Sequence, residues 1–164
     1  MQNSNLKTDN IKVKKIQYRI AEIKKLSHYE NDFSANGLKP GDLKNINFVI
    51  SVSLSIDRND GIMSFKIEIH CYCIYGEKNI KLFGIETLHK YKIKYFNKLF
   101  RKKDSDIYKI PDLLILNLLN SSISDTRGMI AALNTTPEYR KIILPPINTK
   151  DILKSLKKQF EMKK

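Results

Sequence analysis

At 164 residues and a formal charge of +13, the chain is long enough to bury roughly 68–70% of its unfolded surface in one core. Aromatic residues spread along its length exclude wholesale disorder. Only Cys71 and Cys73 are present, the amino terminus has no apolar h-region, and no run approaches ~18 apolar residues, which argues against a disulfide scaffold, a secretory leader and a membrane span and for a cytoplasmic protein.

Residues 1–10, "MQNSNLKTDN", read as a polar, disordered tail, and residues 11–160 as one domain. In "IKVKKIQYRIAEIKKL", Ile16, Tyr18 and Ile20 alternate, yet Ile16, Ile20 and Ile23 also have helical spacing; we assign a strand. "INFVISVSLSID" is clearer, with Phe48, Ile50, Val52, Leu54 and Ile56 on one face. The turn formers "DRNDG" lead into "IMSFKIEIHCYCIYG", where Phe65, Ile67, Ile69, Cys71, Cys73 and Tyr75 alternate with Lys66, Glu68 and His70. After "GEKN" a further strand is predicted, bent near Gly84, with Tyr91, Ile93 and Tyr95 on one face and Lys90, Lys92 and Lys94 on the other.

Helical signals then take over. Asp112, just after Pro111, is placed to cap a long helix that runs to about Leu133 and buries Leu116, Leu119, Ile123, Ile130 and Leu133. Gly128 predicts close packing or a break there. "NTTPE" ends the helix, and Pro145 and Pro146 force "YRKIILPPIN" to be extended. Thr149 is placed to cap a last helix whose stripe is Ile152, Leu153, Leu156 and Phe160. Strands first and helices last predict an α+β domain: a four-stranded antiparallel sheet followed by a long helix and a short C-terminal helix.

No phosphate loop, nucleophile elbow, zinc-protease motif or nucleotide fingerprint occurs, so an enzyme is the weaker class and no catalytic residue or cofactor is assigned. "HCYC" offers sulfur and imidazole but no second ligand pair; two small buried residues on a strand are the commoner reading, and no metal is assigned. The charge attracts nucleic acid, anionic membrane and acidic polypeptide alike, although Ile, Asn and Lys usage throughout is also what a biased genome produces. "HKYKIKYFNKLF" could stack and neutralise single-stranded nucleic acid, but a half-buried strand with lysines on its wet face has the same pattern. A basic nucleic-acid-binding domain is therefore the alternative function. Arg127 beside Gly128 could bind an anion, though pairing with a carboxylate at a packing contact is commoner.

Residues 124–153, "SDTRGMIAALNTTPEYRKIILPPINTKDIL", carry the most specific signal. Arg127 within the long helix, the turn "NTTPE", the apolar "IIL", the run Pro146-Ile147-Asn148 and the helix start "TKDIL" together resemble the ending of the SecB family of protein-export chaperones. "RGMI" and "ILPPIN" are spelled like its SecB-like branch, and "FGIE" at 83–86 is similar to the family's Gly-Ile; the resemblance spans roughly residues 11–160. It implies a homotetramer, a dimer of dimers, whose apolar grooves hold unfolded client polypeptide without ATP. It places client contacts or the oligomer interface at Phe65, Ile67, Ile69 and Cys71, and the other groove wall at Leu116, Leu119 and Ile123. Arg127, Gly128, Pro145, Pro146 and Asn148 carry the structural motif. Family members that serve the Sec translocase present acids to the SecA motor, whereas this chain ends "KKQFEMKK" and has Lys24 where an acid is expected. SecA coupling stays open, and a chaperone for an antitoxin fits equally.

Overall fold

The computed structural model describes residues 16–35, 37–96 and 110–161, with side chains through 158. Four strands, β1 (Tyr18–Glu30), β2 (Ile46–Asp57), β3 (Ile62–Tyr75) and β4 (Lys78–Ile93), pair antiparallel in the order β1-β4-β3-β2. β2, β3 and β4 form a meander and β1 lies beside β4, a Greek-key arrangement made possible by the long crossover between β1 and β2. Three helices follow: α1 (Asp112–Leu133), α2 (Pro137–Arg140) and α3 (Thr149–Glu161). The α+β architecture expected from the sequence is the one observed. The tail at 1–10 lies outside the described residues.

Alternation sets the inner face of the sheet. Met63, Phe65, Ile67, Ile69, Cys71 and Cys73 of β3 are fully buried, beside Phe83, Ile85, Thr87, His89 and Tyr91 of β4. β2 pairs with β3 without irregularity from Ile46 opposite Cys73 to Asp57 opposite Ile62. The turn residues act as expected: the Asp57 carboxylate accepts the N–H groups of Asn59 at 3.0 Å and Asp60 at 3.1 Å. The expected bend near Gly84 is instead a bulge at Leu82, where the pairing steps from Cys71 opposite Phe83 to Tyr72 opposite Lys81. β4 also ends at Ile93, so Tyr95 leaves the ladder with a φ of 58° and does not share the Tyr91 face.

α1 buries Leu114, Ile115, Leu118, Leu119, Ser122, Ile123, Thr126 and Ile130; Leu116 and Leu133 are half-buried. Pro111 occupies the N-cap position, so Asp112 is the first helical residue rather than the cap. Its carboxylate there complements the helix dipole and pairs with Lys157 of α3 at 2.6 Å. The expected break or close packing at Gly128 is not found, because α1 runs through it and nothing lies within 4 Å of where a Cβ would sit. Gly128→Ala should therefore raise the unfolding free energy by about 1 kcal/mol in a denaturant titration.

The sequence did not reveal α2. Its Tyr139 is fully buried, with the ring 5.4 Å from Phe83 and 6.0 Å from Phe33 of the crossover. Its hydroxyl donates to the Asn31 carbonyl at 2.7 Å, and burial pushes its pKa up to about 12. The run expected to be extended from Tyr139 therefore starts later, because Tyr139 and Arg140 are helical and Lys141 is still αR; from Ile142 to Asn148 the connector has neither helix nor strand, and an Arg127 guanidinium N–H donates to the Pro145 carbonyl, a backbone partner rather than the expected carboxylate. Pro145 and Pro146 are exposed while Leu144 is buried. At α3 the cap is Asn148 rather than Thr149: its Oδ1 accepts from the Lys150 N–H at 3.2 Å and its Nδ2 donates to Asp151 at 2.6 Å. Leu153 and Leu156 are buried as the stripe predicts; the Phe160 side chain lies outside those described. Among the described residues no helix is long and apolar enough to cross a membrane.

Candidate functional site

The helix layer covers the sheet unevenly. α1 packs on β3 and β4, and α3 packs on α1 and β2. The inner row of β1 is left at the margin, with Tyr18 43%, Ile20 54% and Ile23 36% exposed opposite Ile93, Tyr91 and His89, and Leu26 40% exposed beside them. Large apolar side chains in a row at a sheet margin mark an interaction surface rather than scattered surface residues. The other margin is β2, whose Phe48, Ile50, Val52, Leu54 and Ile56 are half-buried. β2 has no charged residue from Ile46 to Ile56, and among the described residues no main-chain bond outside the ladder with β3 reaches 46–57. A long, regular, uncharged edge strand is a template for a further strand. β1 defends its own edge differently, with bulges at Ile20/Glu22 and Lys25/Ser27 and with Arg19, Glu22, Lys24 and Lys25.

Phe65, Ile67, Ile69 and Cys71, expected to meet client or partner, are fully buried in the single chain, as are Leu119 and, almost so, Ile123. They meet one another across the space between β3 and α1, so the row is core; Leu116 alone of the set reaches the surface in part. Burial pushes the Cys71 thiol up to about 12, which suits an inert packing residue. His70 lies on the opposite face from both cysteines, where Nδ1 meets the Tyr29 hydroxyl at 3.0 Å, so "HCYC" does not converge on one point.

A polar seam the sequence did not reveal joins α1 to β4. The Tyr91 hydroxyl meets Ser122 at 2.8 Å, Thr87 meets Thr126 at 2.9 Å, and His89 Nε2 meets Thr87 at 3.0 Å and Thr126 at 3.1 Å. His89 Nδ1 faces Asp125 Oδ2 at 3.8 Å. By residue type this is a hydroxyl, a base and an orienting acid. However, Thr126 and His89 are fully buried and the Thr126 hydroxyl donates to the Ser122 carbonyl at 2.8 Å, so the seam holds the helix and offers no access to substrate. Burial pushes His89 below the usual imidazole range, against the opposing pull of Asp125. A pKa lower in the fold than in the unfolded chain means stability that is full above ~6.5 and declines as pH falls below it. His70 is shifted the same way by burial and Lys81. His89→Gln should therefore flatten, without abolishing, the loss of stability between about pH 7 and 5 in denaturant titrations.

The outer face of the sheet is polar. Lys66 bridges Glu86 at 2.6 Å and Glu68 at 3.0 Å, and Lys90 pairs with Glu22 at 2.6 Å. Tyr91, the aromatic residue at the centre of the basic strand, is fully buried and cannot stack on a base. The part of that strand from 97 onward lies outside the described residues.

No family model matches the chain, and no curated protein does. Among solved structures it is similar to the SecB-like chaperone Rv1957 of Mycobacterium tuberculosis, solved in complex with a ChAD peptide from the HigA1 antitoxin, at 10% identity and a TM-score of 0.54, over 80% of this chain and 91% of that one. The fold is SecB-like. A protein of unknown function from Streptococcus agalactiae, 11% identical, is matched over 98% of its length and 80% of this chain at a TM-score of only 0.36.

Proposed function

We propose that this SecB-like chain is a cytoplasmic, ATP-independent chaperone that holds unfolded polypeptide in apolar grooves of a homotetramer. The observation that carries the reading is the exposed apolar row of β1, Tyr18, Ile20 and Ile23, at the margin of the face that the helices pack on. In this reading a second copy covers that row, and an extended client pairs with the uncharged edge of β2 and lays alternate apolar side chains beside Phe48, Ile50 and Val52. Backbone pairing needs little sequence specificity, as a chaperone requires. The row from Phe65 to Cys71, with Leu119 and Ile123, meets client only when α1 lifts, whereas Leu116 is reached at the surface.

The peptide held by Rv1957 supports an antitoxin or another extended segment as client. Service to SecA receives less support, because Glu22, Glu68 and Glu86 on the outer face are each paired with a lysine of this chain. The test is aggregation of a reduced, unfolded client followed by light scattering without nucleotide. Suppression at near-stoichiometric chaperone is expected; unchanged aggregation at excess chaperone would sink the proposal.

A further inference from the structure

The ladder with β3 decides which backbone groups β2 shows at its open edge. The Ile74 N–H donates to the Asn45 carbonyl at 2.9 Å, one pair before Ile46 meets Cys73, and from there the register runs to Asp57 opposite Ile62 without a bulge. Residues that exchange bonds alternate along an antiparallel pair, so Asn47, Val49, Ser51, Ser53 and Ser55 turn their N–H and C=O groups toward β3. β3 agrees from its other side, where the Gly61 carbonyl accepts the Ile93 N–H at 2.9 Å and so sets the odd-numbered residues of β3 toward β4. Ile46, Phe48, Ile50, Val52, Leu54 and Ile56 therefore turn theirs to the open edge, and among the described residues no other backbone group bonds them. These are also the residues whose side chains lie half-buried on the inner face, the side on which α3 packs. On β2 the open backbone groups and the apolar side chains thus belong to the same residues, while the outer row is Asn47, Val49 and serines, with no charge.

We propose that this edge takes an antiparallel client strand that alternates apolar with uncharged polar residues, and that it hydrogen-bonds the client through the backbone of the apolar residues alone; this specificity rests on the chaperone reading and narrows its client class. Residues directly opposite one another on paired strands share a face, so a client residue that exchanges bonds with Ile50 or Val52 also lays its side chain on the inner face beside them. Proline is excluded at those positions, where its missing N–H would leave a β2 carbonyl unmet, and accepted at the intervening ones, whose N–H points away from β2. A charged client residue is disfavoured on the inward side, because no β2 residue from 46 to 56 carries a charge to pair with it. A second copy of β2 has the same alternation, yet β1 and β2 are opposite margins of one sheet, and copies closing on both would extend the sheet without an end. The β1 row goes to a copy, which leaves β2 to the client.

The test is fluorescence anisotropy on the full chain with a labelled peptide of about ten residues, alternating valine and serine, and with two forms of it N-methylated at every valine or at every serine. Both forms lose equal numbers of donors and differ only in which of their edges is blocked. With the valines inward, the valine-methylated form should bind at least about tenfold more weakly than the parent, and the serine-methylated form within about threefold of it. Val52→Pro removes a donor from the open edge and none from the ladder with β3. With its fold checked by circular dichroism, it should weaken the parent peptide at least about tenfold and leave the mass of the assembly unchanged in light scattering. The reverse preference, which a parallel strand gives, equal binding of the two methylated forms, no binding of the parent peptide, or dissociation of the assembly by Val52→Pro, which would give the edge to a second copy, would each overturn the proposal. Suppression of client aggregation that persists after such a failure would show that the chaperone reading survives without it.

Discussion

Phe65→Ala should lower the unfolding free energy by about 3–5 kcal/mol, the cost of deleting a fully buried aromatic ring from a packed core. Phe65 lies opposite Leu54 on one side and His89 on the other, and its ring meets Tyr91 edge-on at 6.2 Å. The void would open beneath α1, where backbone shifts cannot readily close it because the Tyr91–Ser122 and Thr87–Thr126 bonds fix the helix position. Equilibrium denaturation followed by circular dichroism checks the value. Ile20→Ser makes the contrasting case: its side chain is 54% exposed, so stability should change by less than about 0.5 kcal/mol while self-association is lost. Were Phe65 instead a client-facing residue of the resting chain, Phe65→Ala would leave stability nearly unchanged and weaken client binding instead.

Glu30→Ala should cost about 2–3 kcal/mol, a large effect for a polar residue at a strand end. The Glu30 carboxylate accepts the Thr135 N–H at 2.6 Å, the Thr136 N–H at 3.0 Å and the Thr136 hydroxyl at 2.6 Å, which clamps the turn between α1 and α2 onto the last residue of β1. His28 supports the same turn through Asn134 at 3.2 Å. Burial pushes the Glu30 carboxyl up, but hydrogen bonds from Thr136 and Thr135 outweigh it and hold its pKa below the usual carboxylate value. A pKa lowered by folding gives stability present above ~4.3 and lost as pH falls through the folded value. Glu30→Gln should therefore remove part of the acid limb of the stability profile below about pH 4.5, a region separate from the His89 limb. Thermal unfolding scanned across pH for the three chains measures both effects.

Much of this fold could be read in the residues because β2 and β3 alternate without interruption and α1 and α3 carry helical stripes. β1 could not be phased, and its bulges explain why. The inner row passes Tyr18 and Ile20, then steps over an extra residue to Ile23 and Lys25, then over another to His28 and Glu30. Each step replaces a spacing of two with one of three, so Ile16, Ile20 and Ile23 imitate a helix. The surface with the strongest claim to function therefore falls on the most ambiguous strand. Ser122 and Thr126 read as polar interruptions of α1, yet they point inward to meet Tyr91 and His89. Alternation identified Phe65, Ile67 and Ile69 as an apolar face; it carried no information on what covers that face, which is fully buried in the folded chain.

Closure of the exposed row of β1 against further copies, and carriage of unfolded chains by the assembly, can be read from size exclusion with in-line light scattering, with and without a reduced, unfolded client at moderate salt. A tetramer that elutes together with client is expected, as is loss of the tetramer in Ile20→Ser. A monomer that leaves the client behind would contradict both.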